Sequence, residues 1–112
     1  MGYEVRILRG PNWWENEGYE ISEAEWQRVV EADPEMRMSG VAEAAYLEGV
    51  LQYENPNLAE WTGHPSRGVV WFEFRGGMVV VNNPDEPIII KMQKIARLLG
   101  ARVQGDEGEF YN

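Results

Sequence analysis

GVVWFEFRGGMVVVNNP, residues Gly68 to Pro84, decides the fold of this 112-residue chain. Val70, Phe72 and Phe74 alternate with Trp71, Glu73 and Arg75, which gives a strand one fully apolar face. Met78 to Val81 is a second β-branched run, and Gly76-Gly77 joins the two. A two-residue hairpin turn needs positive φ at both central positions, and adjacent glycines meet that need without a steric penalty. A hairpin is therefore predicted over Val69–Val81, with an apolar face that something must cover.

The cover follows directly in the chain. Ile88, Ile89, Met92, Ile95, Ala96 and Leu99 recur at helical spacing and form one continuous stripe. Asp85 is placed to cap this helix, Pro87 is tolerated in its first turn, and Gly100 is the expected C-terminal stop. A shorter helix is predicted after Ile21. Ser22 and Glu25 have the spacing of a capping box, Ile21 is set to staple onto Trp26, and Asp33-Pro34 ends the element. Glu23 and Glu25 thus have a local role at a helix N-terminus.

Further strands are read at Tyr3–Leu8, whose Tyr3, Val5 and Ile7 alternate with Glu4 and Arg6, and at Ala101–Gln104. Val41–Tyr46 reads as a strand in preference to a helical turn. Gly49–Tyr53 and Leu58–Thr62 read as strands around an Asn55-Pro56-Asn57 turn. Hairpins dominate this order, and two amphipathic helices each need a surface. The fold class is α+β: a mainly antiparallel sheet with both helices packed on one face. Residues 1–112 read as a single domain, long enough for one core.

Charge narrows the function. The net charge is −9, and residues 1–60 hold all of it: 13 Asp and Glu stand against four Arg, while residues 61–112 balance six against six. Phosphate binding needs cations, so DNA, RNA and anionic membrane are poor partners, and a basic protein is a compatible one. The longest apolar run is four residues and no secretory h-region opens the chain. With no cysteine there is no thiolate nucleophile and no sulfur metal site, and the expected compartment is the cytoplasm.

Catalytic chemistry finds little purchase. His64 lies between Gly63 and Pro65 in a loop, with Ser66 nearby and Glu60 and Glu73 the neighbouring acids in sequence; it reads as a solvated loop histidine. Asp106, Glu107 and Glu109 lie around two glycines, but lack the fixed alternate spacing of a calcium loop. Gly76-Gly77 has no Lys-Ser/Thr after it and is no phosphate loop. No metal, cofactor or catalytic residue is assigned.

PNWWENEGYE, Pro11 to Glu20, is the remaining anomaly. Trp13 and Trp14 adjoin, followed by Glu15, Glu17 and Glu20, which have no helix to cap. In an extended segment adjacent side chains point to opposite faces. One tryptophan is therefore expected to pack inward beneath the Glu20–Glu31 region and the other to stay exposed beside the acids; the alternative is an irregular loop that buries both rings. An aromatic anchor rimmed by acids suits an Arg/Lys-rich surface, so Trp13, Trp14, Glu15, Glu17 and Glu20 are the candidate partner-binding residues.

DPEMR at 33–37, YENPNLAEW at 53–61, VVWFEFRGG at 69–77 and VVVNNPDEPIIIKMQKIARLLGARVQGDEGEFY at 79–111 resemble phrases of a group of small bacterial proteins of about this length. Similar small acidic α+β proteins include immunity proteins encoded beside secreted polymorphic toxins. The resemblance implies an immunity protein that covers a basic toxin surface or plugs a toxin active site, and it assigns no binding residues. The other readings of the chain are a small ligand-binding or structural domain, and an enzyme using carboxylates and His64.

Overall fold

In a computed structural model, the structure describes residues 2–39, 41–46, 49–54 and 57–111. The predicted hairpin is its centre. β6 (Val70–Arg75) and β7 (Met78–Asn82) pair antiparallel, Phe74 opposite Val79 and Arg75 opposite Met78. Gly76 and Gly77 take φ of 59° and 72°, the left-handed pair such a turn demands. Around it runs a six-stranded antiparallel sheet in the order β2-β5-β6-β7-β1-β8, with β1 (Glu4–Leu8), β2 (Met36–Met38), β5 (Ala59–Trp61) and β8 (Arg102–Gly105). β3 (Val41–Tyr46) and β4 (Gly49–Glu54) make a separate two-stranded hairpin. The turn expected at Asn55-Pro56 lies outside the described residues.

Register carries the apolar alternation across the sheet. Trp61 faces Val70, Ala59 faces Phe72, Val79 faces Ile7, and Ile7 faces Val103, so these side chains share one face. α1 (Glu23–Glu31) and α2 (Glu86–Leu99) cover that face together. Trp26 and Val30 of α1 and Ile88, Met92, Ile95, Ala96 and Leu99 of α2 are buried in one cluster with the sheet residues. The Trp26 ring stacks on Phe74 at 6.3 Å, and its indole N–H donates to the Asn57 carbonyl at 2.8 Å.

The caps are the predicted ones. Ser22 Oγ accepts from the Glu25 N–H and Glu25 accepts from the Ser22 N–H, each at 3.1 Å. Asp85 accepts from the Ile88 N–H, and Gly100 is left-handed at φ 63°. Side chains tie the two helices together. Arg9 donates to the Leu99 carbonyl at 2.8 Å and to both Glu25 oxygens, while Lys91 of α2 pairs with Asp33, just past the end of α1.

β2 was not expected. Three residues are too few to show a period, and this strand exists because Met36, Arg37 and Met38 pair with Trp61, Glu60 and Ala59. No helix among the described residues is long and apolar enough to cross a membrane.

Candidate partner-binding surface

The second face of the sheet carries a polar network beside the buried Leu8 and Val80. Arg6 lies opposite Val80 on one side and Gln104 on the other, with Glu73 opposite Val80 one strand further. The Arg6 guanidinium is nearly enclosed and pairs with Glu4 at 2.7 Å and Asp106 at 2.8 Å; Arg75 reaches Glu4 at 2.7 Å. Hydrogen bonds from the Glu4 N–H and from Arg6 hold the Asp106 carboxyl below its ordinary value.

This ion-pair network receives Trp13. The ring lies over the Arg6 guanidinium at 4.2 Å, its backbone N–H donates to Gln104 Oε1 at 2.7 Å, and its indole N–H points to the Asp106 carbonyl at 3.3 Å. The expectation that one tryptophan would pack inward beneath Glu20–Glu31 is therefore corrected: Trp13 covers the sheet face opposite the helices. Trp26 already fills the space under α1 with no exposed surface, and the nearly enclosed Arg6 guanidinium offers an indole ring contact while the neighbouring Asp106 carbonyl accepts its N–H.

Trp14 is 55% exposed and meets Trp13 edge-on at 5.3 Å. One ring inward and one outward was expected, but the strand argument behind it does not hold. Glu15 N–H bonds to Asn12 O and Tyr19 N–H to Asn16 O, each at 2.9 Å, so the segment is two consecutive turns. Those turns are anchored. The buried Asn16 accepts from the Gly10 N–H and donates to the Gly76 carbonyl. Gln104 donates to Asn12 and Gly108, and Arg102 donates to the Gly10 and Pro11 carbonyls.

The candidate acids separate here. Glu15 accepts from the Asn12 amide at 2.7 Å and Glu20 from the Gly18 N–H at 3.1 Å, so both have turn-forming duties the sequence did not reveal. All three of Glu15, Glu17 and Glu20 remain exposed. Two residues join them that sequence reasoning missed. Tyr19 is 51% exposed in the same loop. The second is Gly108, which lies under the Trp14 ring, where a Cβ would meet it at 3.1 Å. Nothing in the sequence connects residue 14 with residue 108.

His64 is not solvated; its side chain is 2% exposed. Nδ1 accepts from the Ser66 and Arg67 N–H groups at 3.0 Å each, which leaves Nε2 to donate to Asp85 Oδ2 at 2.8 Å. Both nitrogens are occupied, and Ser66 offers its backbone rather than its hydroxyl. The orienting acid is Asp85, the α2 cap, and neither Glu60 nor Glu73. Burial alone would raise the Asp85 carboxyl, but hydrogen bonds from His64 and the Ile88 N–H hold it below its ordinary value. This arrangement ties a loop to a helix start and offers no free base.

The 106–109 carboxylates are engaged likewise. Asp106 serves Glu4 and Arg6, and Glu109 accepts from Tyr3 and Tyr111. The bond to Glu109 pushes the Tyr3 hydroxyl up to about 12. A hollow of about 270 Å³ lies beside Trp71, Glu73, Leu58 and Val80. The chain matches no protein-family model, no curated protein and no solved structure.

Proposed function

We propose that this protein is a non-enzymatic protein-binding module, most concretely an immunity protein that neutralises a bacterial toxin in the cytoplasm by covering a basic surface or its active site. The observation that carries the reading is Trp14: a large aromatic ring, 55% exposed, held on an anchored loop that also carries the exposed Glu15, Glu17 and Glu20. Surface-exposed tryptophan on a rigid support is the residue type that dominates binding hot spots, and the surrounding carboxylates select a basic partner. The net charge of −9 and the acidic first half add steering in the same sense.

Affinity capture from the native host tests it. A basic protein should be retained in stoichiometric amount by the unaltered chain, should dissociate faster from Trp14→Ala, and should associate more slowly with the Glu15→Lys, Glu17→Lys, Glu20→Lys triple variant. Equal capture by all three proteins would remove the loop from the binding surface.

A further inference from the structure

The helical face carries a feature of opposite polarity. Leu98 falls off the buried stripe of α2 and is 73% exposed. With Val29, Ala32 and Pro34 it lines a groove between the two helices, and Arg28 stands at the groove wall. The rim is basic. Of ten Lys and Arg in the chain, six hold a carboxylate within ion-pair distance, and Arg102 lies on two backbone carbonyls and the Phe110 ring. The three left without an ion pair among the described residues are Arg28, Lys94 and Arg97. Lys94 precedes Leu98 by one helical turn and Arg97 adjoins it. Asp33 also lines the groove and is paired with Lys91, and Glu31 and Glu35 are exposed at this end of α1, so Arg28, Lys91, Lys94 and Arg97 stand against three carboxylates. In a chain of net charge −9, the cations without an ion pair among the described residues are thus gathered around the most exposed of the described leucines.

An apolar groove with a cationic rim fits an aromatic segment with an acidic rim, and the loop bearing Trp14, Tyr19, Glu15, Glu17 and Glu20 has that chemistry. We infer that the Leu98 groove of one copy binds the Trp14–Tyr19 loop of a second copy, so that the protein self-associates. At physiological ionic strength charges separated by more than about 8 Å are largely screened, so the repulsion between two acidic chains counts for less than the groups in contact. The contact joins two different surfaces. Made reciprocally about a two-fold axis it closes at a dimer, and made in one direction only it extends. Self-association covers the loop, so a protein partner would compete with it. The inference stands on the two surfaces and needs no other protein.

Purified protein alone provides the test, which separates it from the partner reading above. Sedimentation velocity and light scattering from about 10 to about 500 µM, in about 150 mM salt, read the mass. The average should rise above the 12.9 kDa monomer with concentration. Leu98→Asp should weaken association about tenfold or more while leaving the circular dichroism spectrum unchanged, because the side chain is exposed. A groove variant (Arg28→Glu, Lys94→Glu, Arg97→Glu) and a loop variant (Glu15→Lys, Glu17→Lys, Glu20→Lys) should each remain monomeric alone and associate when mixed. A constant monomer mass across the range overturns the inference, and so does association that Leu98→Asp leaves intact or a mixture that stays monomeric.

Discussion

Trp13 and Trp14 are neighbours with opposite duties, and truncating each in turn should separate them. Trp13→Ala removes a ring lying 4.2 Å above a guanidinium whose side chain is 8% exposed. The cation–π contact contributes about 1–2 kcal/mol in so desolvated a place, and the indole hydrogen bond to Asp106, long at 3.3 Å, adds about 0.5 kcal/mol. Loss of ring packing brings the sum to about 3 kcal/mol, the low end for an aromatic truncation because Trp13 is only half-buried. Trp14→Ala removes a ring that touches Trp13 by an edge and is otherwise largely in solvent, so its cost should stay below about 1 kcal/mol. Urea melts followed by far-UV circular dichroism read both values from the midpoint, provided the slope is unchanged. For a chain of this size the Trp13 variant should melt roughly 10–15 °C lower. A Trp13 cost under about 1 kcal/mol would refute the cation-covering role, and a Trp14 cost above about 2 kcal/mol would make that ring structural rather than a docking anchor.

Three further outcomes are expected. Ile95→Ala, at 1% exposure in the middle of the α2 stripe, should cost about 2–5 kcal/mol in a urea melt; a change under about 0.5 kcal/mol would be incompatible with α2 packing on the hairpin. His64→Ala should destabilise by about 1–3 kcal/mol, since it strands the Ser66 and Arg67 N–H groups, yet leave partner binding intact at temperatures where the variant is folded; loss of binding by the folded variant would give His64 a function. Glu25 is held at about 2 by hydrogen bonds from Arg9 and then from Ser22, against an ordinary 4.5. A depressed carboxyl contributes stability above its unfolded value and loses it as pH falls toward the folded one. Glu25→Gln should therefore be less stable than the unaltered protein at pH 7, with the gap closing between about 4.5 and about 2 in melts at stepped pH; a gap that does not narrow would mean that the Arg9 pair is not formed.

What could be read from the sequence was what short stretches settle among themselves. The β6–β7 hairpin needed only alternation and two glycines, α1 only a capping box and a proline stop, and α2 only a stripe between Asp85 and Gly100. Each depends on neighbours within a few residues, and the apolar stripes then had one economical way to meet, which gave the α+β class and the shared helix face. The tertiary structure alone decided what meets across long separations. Met36–Met38 became an edge strand because Ala59–Trp61 lay open to it. Asp85, legible as a cap, also became the partner of His64. Trp13 went to the polar face because Arg6, Gln104 and Asp106 converge there from both ends of the chain, and Gly108 came to lie under Trp14. Periodicity reports which face of an element is apolar, but the partners of a polar side chain are set by register and strand order, and these are products of the whole core rather than of any window along the chain.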